Sequence, residues 1–175
     1  AFVAPSTKRS QHPPRWAKVN CHCWARPECQ NHEVLLFVTV AMNAALLIFL
    51  AGVLRRVMND LDGPAFQQFL GSFYRHGTRS LFMHTMLTIP FLGAIPYFYF
   101  YGFGDRWIAV GLALWLVGGC IAKVIKVPVF KKVAALKSDD SAGLSRARQR
   151  FNAGNMLQAV LNFVAAVVMG VAFIK

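Results

Sequence analysis

Five residues ahead of the first apolar stretch carry the chemistry of metal ligands or of a disulfide: Cys21-His22-Cys23, then Cys29 and His32. Thiolates and an imidazole at this density can hold a tetrahedral zinc, with Cys21, Cys23, Cys29 and His32 as the candidate ligand set. The spacing is not that of the paired C-x-x-C elements found in zinc ribbons and knuckles. The same thiols offer a second chemistry. On an oxidising face Cys29 can bridge to Cys21 or Cys23, and a third reading leaves the cluster without either role. Nothing in the chain reads C-x-x-C-H, which removes covalent haem attachment. Cys120 stands far from this cluster and is expected to be a small packing residue.

A second set of polar residues falls inside apolar stretches, where a polar side chain is costly and so invites a functional explanation. His84 can ligate a metal, a haem iron or the magnesium of a chlorophyll through a ring nitrogen. It can equally bond a neighbour at the membrane boundary, close to Arg79. Asn43, Gln158 and Asn162 suit hydrogen bonds between transmembrane helices. Every acidic residue is expected outside the spans, which argues against a carboxylate proton relay. The run Tyr97-Phe98-Tyr99-Phe100-Tyr101 reads as an interfacial aromatic belt, with contact to pigment or quinone rings as the alternative.

The elements that position these residues are transmembrane helices. Of 175 residues 56% are hydrophobic and only 15% charged, and the mean hydropathy is +0.43. A soluble domain of this size could not cover so much apolar surface. Stretches from about Val34 to Leu54, Leu81 to Tyr101, Trp107 to Ala122 and Met156 to Ile174 approach the roughly 20 residues a bilayer requires. The fold class is therefore all-α, an integral membrane bundle of four helices. Residues 1–33 form a polar, basic tail and 34–175 the membrane domain. Asn59 to Pro64 is a turn, with Pro64 opening a new helix. In that helix Phe66, Phe69, Leu70 and Phe73 recur at helical spacing beside Gln67 and Gln68, an amphipathic element suited to the interface. Pro90 and Pro96 predict a kink in the second span. Small residues, Gly111, Gly118 and Gly119 in span three and Ala166 and Gly170 in span four, permit close helix approach.

The net charge of +12 accompanies no nucleic-acid module, so anionic lipid headgroups are the expected partners of the basic residues. The segments after spans one and three hold Arg55, Arg56, Arg75, Arg79, Lys123, Lys126, Lys131, Lys132, Lys137, Arg146, Arg148 and Arg150. The positive-inside tendency assigns them to the stromal or matrix side, with both termini across the membrane.

Two resemblances bear on function. Ala1-Phe2-Val3-Ala4-Pro5-Ser6 resembles the alanine–phenylalanine cleavage motif of plastid-targeting presequences in algae with secondary red plastids, and no acidic residue precedes Glu28. The expected setting is thus a plastid thylakoid membrane, with the mitochondrial inner membrane as the alternative. The four-span plan, Lys126-Val127-Pro128-Val129-Phe130 after span three, and Arg146 to Asn155 (Arg-Ala-Arg-Gln-Arg-Phe-Asn-Ala-Gly-Asn) resemble the anthrone-oxygenase-like family of small four-helix membrane proteins. That family tends to have asparagines flanking the proline and a tryptophan before the last asparagine, where this chain has Lys126, Lys131 and Phe151. The resemblance implies an oxygenase acting on an aromatic substrate, with Arg150, Asn152 and Asn155 in its site. Short loops and the absence of buried acid–base pairs point instead to a non-catalytic subunit of a photosynthetic membrane complex. Such a subunit would contact other integral membrane subunits, with chlorophyll, carotenoid or lipid as possible bound groups. A stand-alone transporter has little support, because no inverted repeat is visible.

Overall fold

The structure is a computed structural model that describes residues 27–103, 105–137 and 139–174, without the side chains of Pro27 and Cys29. Every regular element among the described residues is helical. The order is α1 (Pro27–Phe49), a π-helical segment (Leu50–Leu54), α2 (Arg55–Asp60), α3 (Gly63–Gly77), α4 (Leu81–Tyr101), α5 (Arg106–Ile121), a second π-helical segment (Ala122–Lys126), α6 (Val127–Ala135) and α7 (Ser141–Val171). The π segments join their flanking helices into single rods. Four rods are long and apolar enough to cross a membrane: Gln30–Asp60, Leu81–Tyr101, Arg106–Ala135 and Ser141–Val171.

Local chemistry explains where the helices begin and end. Asp62 caps α3 by accepting from the Ala65 amide at 2.8 Å, with Gly63 first and Pro64 second in the helix. Asp105 accepts from the amides of Trp107 and Ile108 to cap α5, and Asp140 from that of Gly143 to cap α7. Gly102, at φ +64°, ends α4 in a conformation that favours glycine.

Three departures from the sequence expectations share one cause. α1 starts at Pro27 rather than near Val34, the third rod runs to Ala135 rather than Ala122, and α7 begins at Ser141 rather than Met156. Charged and polar residues end a hydropathy window, but Glu, Gln, Lys and Arg are good helix formers and do not end a helix. The basic segment 123–150 is therefore almost entirely helical. α4 also continues through Pro90 and Pro96 without a break in its helix.

The helices pack as a row folded around α7, which lies against both α5 and α1, while α4 leans on α1. The membrane core comprises Leu36, Val40, Tyr97, Ile108, Leu112, Trp115, Ala165 and Met169. A separate core lies at the basic end, where Met58, Phe66, Leu70, Val129, Val133, Leu144, Ala147 and Phe151 meet. The amphipathic helix α3 thus buries Phe66 and Leu70 against protein, not against lipid. Outward-facing Val38, Met42, Phe91, Ile95, Val117, Val160, Phe163 and Val167 give the bundle the apolar exterior that a bilayer demands.

Close approach of α5 to α7 rests on two glycines. A Cβ at Gly111 would lie 2.9 Å from the carbonyl oxygen of Ala165 and collide with Met169, and one at Gly118 would lie 2.5 Å from Nδ2 of Asn162. Gly119, by contrast, faces open space, and Cys120 is exposed rather than packed. Gly111→Ala is expected to lower the unfolding free energy in detergent by about 1–3 kcal/mol. Gly119→Ala should leave it unchanged or raise it by up to about 1 kcal/mol. Thermal melts of the two variants check this directly.

Candidate functional site

The densest polar constellation lies at the basic end, where α7 passes from the membrane core to the second core. Arg148 donates from one terminal nitrogen to the carbonyl of Asn59 at 3.1 Å and from the other to that of Leu61 at 2.7 Å. These are carbonyls that the end of α2 leaves without helical partners, so Arg148 caps α2 from another helix. Its guanidinium also lies 4.6 Å from the ring centroid of Phe66 on α3, a cation–π contact. One turn on, Asn152 donates to the side-chain oxygen of Asn59 at 3.2 Å. Gln67 of α3 plays the matching role for α6, donating to the carbonyls of Val133 and Leu136, both at 2.9 Å.

Deeper in the bundle the π segment Ala122–Lys126 changes the helical register and brings Lys126 against α7, where its ammonium donates to Oε1 of Gln158. Asn162 donates to the Gln158 carbonyl at 2.9 Å, and its Oδ1 has no hydrogen-bond partner among the described residues. Asn43, Asn155, Gln158 and Asn162 are all buried. Gln158 joins two helices through Lys126, whereas the Asn162 bond stays within α7.

The residues that the oxygenase resemblance implicates are spread around α7. Arg150 is exposed and lines a cleft of about 450 Å³ between α6 and α7. Asn152 lines a second cleft of about 530 Å³ with Arg55, Asn59 and Arg148. Asn155 is only 2% exposed, inside the bundle. At 100° per residue Arg150 stands about 140–160° around the helix from the two asparagines. The arrangement therefore ties Asn152 to a helix end and leaves Arg150 to the other cleft.

At the opposite end Glu33 is buried, within the first membrane rod, and accepts a hydrogen bond from the Tyr97 hydroxyl at 2.9 Å. This corrects the expectation that every acidic residue lies outside the spans: the first rod holds Glu33 near one end and Asp60 at the other, and Glu33 is buried. The aromatic run is split by the helix: Tyr97 is buried while Tyr99 and Phe100 face outward. Asp105 lies close enough for its charge to reach both Glu33 and Tyr97. Hydropathy leaves Glu33, Lys126 and Arg148 in segments flanking the spans, so the sequence pattern assigns Lys126 and Arg148 to headgroups and gives Glu33 no role. Only the helical phase of Glu33 with Leu36 and Val40 hinted at burial.

Of the proposed metal ligands, Cys21 and Cys23 lie outside the described residues, and so does the side chain of Cys29. His32 sits on α1, edge-on to Tyr101 with ring centroids 6.2 Å apart. No group of three or more His, Cys, Asp or Glu that could hold a metal ion occurs among the described residues. His84 is exposed in the first turn of α4, with Nδ1 2.8 Å from the Ser80 carbonyl. A carbonyl only accepts, so Nδ1 is the donor in that contact and Nε2 is the ring nitrogen not engaged in it.

Lys126 and Gln158 provide a measurable test of this reading. Gln158→Leu strips the partner from a cation held within the bundle and is expected to destabilise it by about 1.5–3 kcal/mol. Adding Lys126→Met should recover much of that loss, because the stranded cation is removed with it. Unfolding free energies of both single variants and the double variant complete the cycle. Comparison with known protein families, with curated proteins and with solved structures finds no match to this chain.

Proposed function

We propose that this chain is a non-catalytic subunit of a larger membrane assembly, acting by packing rather than by turnover, and that its setting is a photosystem or antenna complex of a plastid thylakoid. The observation that carries the non-catalytic part is the use made of the polar side chains. Lys126 donates to Gln158, Asn162 to the Gln158 carbonyl, Asn152 to the side chain of Asn59, and Arg148 and Gln67 to carbonyls at helix ends. Arg148 Nε, Asn152 Oδ1 and Asn162 Oδ1 keep no partner among the described residues. A catalytic constellation would bring such groups together around one reacting atom. The plastid setting is supported by the resemblance of the first six residues to a plastid presequence.

α4 is the helix through which a partner subunit would dock. It leans on α1, which receives Gly93 against Leu36. Its other faces present Phe82, Leu87, Phe91, Leu92, Ile95 and Tyr99 outward. An aromatic, rigid surface of this kind loses little side-chain entropy on meeting another helix.

A photo-reactive residue at Phe91 or Ile95 of α4, with Val167 on α7 as the comparison, tests this in native membranes. The expected result is a crosslink from α4 to one other membrane protein, and co-migration with its complex in mild detergent. Labelling of lipid alone from both helices, with migration as a single chain, would remove the subunit reading and favour the oxygenase. The oxygenase has its own assay: turnover of a phenolic substrate by the purified protein, abolished in Asn152→Ala and Asn155→Ala.

A further inference from the structure

We infer that the cleft between α6 and α7 is a binding site for one anionic phospholipid, its phosphate held by Arg150, Arg146 and Lys132 and its acyl chain laid on an apolar floor. The sequence pattern alone assigns the basic residues to a diffuse attraction for headgroups. The structure instead gathers three of them around a groove of about 450 Å³.

The groove is a product of two helical registers. On the third rod Ile125, Pro128, Val129 and Lys132 recur at spacings of three and four, and on α7 Arg146, Ala147, Arg150 and Ala153 do the same. The two rows face each other across the cleft. Val129 and Ala147 at its base are buried in the basic-end core, which makes the floor rigid. Val124 is 73% exposed and opens the groove toward the surface that lipid covers. No carboxylate lines the cleft, so among the described residues the three cations have no counter-charge there.

Depth decides what supplies that counter-charge. A hydrocarbon core of about 30 Å accommodates roughly 20 residues of helix. Counted from Trp107, the third rod leaves hydrocarbon near Lys126, and counted back from Val171, α7 leaves it near Asn152. Val124, Ile125 and Ala153 therefore mark the hydrocarbon edge, Arg150 the headgroup level, and Lys132 and Arg146 the outer headgroup zone. This gradient, apolar at the inner end and cationic at the outer end, matches a phospholipid in its normal orientation. A free phosphate would satisfy the cations but leave the floor empty. Two guanidiniums suit a phosphate better than lysines do, because their paired N–H groups match its oxygens. The inference goes beyond the subunit reading and does not depend on it.

The test uses the full chain, purified in detergent and exchanged into bilayers of phosphatidylcholine with a minor fraction of phosphatidylglycerol, with native mass spectrometry as the readout. The expected result is one phosphatidylglycerol retained per chain after mild delipidation. Retention should fall about tenfold or more in Arg146→Gln/Arg150→Gln. Lys123→Gln/Lys131→Gln removes the same charge from residues outside the groove and should retain the lipid. Equal loss in both double variants would reduce the site to diffuse surface charge and overturn the proposal. Displacement of the lipid by millimolar inorganic phosphate would make the site one for free anions and overturn it too. A thermal melt of each variant separates loss of lipid from loss of fold.

Discussion

α7 is longer than the membrane is thick, and much of the molecule follows from that mismatch. Its 31 residues span about 46 Å at helical rise, against a hydrocarbon core of about 30 Å. The rods Gln30–Asp60 and Arg106–Ala135 are similarly overlong. All three project on the side that carries the basic residues. Bare helix ends there would expose apolar faces and leave carbonyls without partners. The chain answers with α3, which lies across the projecting ends and builds a second core from Phe66 and Leu70 against Val129, Val133, Leu144 and Phe151.

The polar contacts follow the same logic. Arg148 serves the end of α2, and Gln67 serves the end of α6. In each case a side chain from one helix satisfies the carbonyls of another, so the ends are joined as well as capped. Within the bilayer the pressure to pair polar groups is stronger, because no water is available. Lys126 with Gln158, and Tyr97 with Glu33, join helices that lie far apart in sequence. Each of these two pairs fastens one helix to another.

The division of the bundle into a tight part and a loose part carries the functional reading. α1, α5 and α7 approach closely, helped by Gly111 and Gly118, whereas α4 meets the rest along one face. A helix that contributes little to its own bundle, yet displays Phe91, Leu92, Ile95 and Tyr99, is suited to meet a second protein. The basic end adds a different surface, a groove of mixed apolar and cationic character at headgroup depth.

Composition and spacing by themselves determined that the chain is helical and membrane-embedded, and roughly where its four spans lie. Those properties depend on local hydropathy, which is a sum over neighbours in sequence. The turn from Asn59 to Pro64 was equally legible, with Pro64 one residue inside the start of α3, although the capping role of Asp62 emerged only from the structure. The same sums drew the helices too short, because charged and polar residues stop a hydropathy window without stopping a helix. Only the tertiary structure decided what the polar residues do. Whether Asn152 faces a substrate or the side chain of Asn59, and whether Glu33 meets water or Tyr97, depends on which helices become neighbours. That is a matter of packing between segments separated by 64 residues in one case and 93 in the other, and no local pattern encodes it.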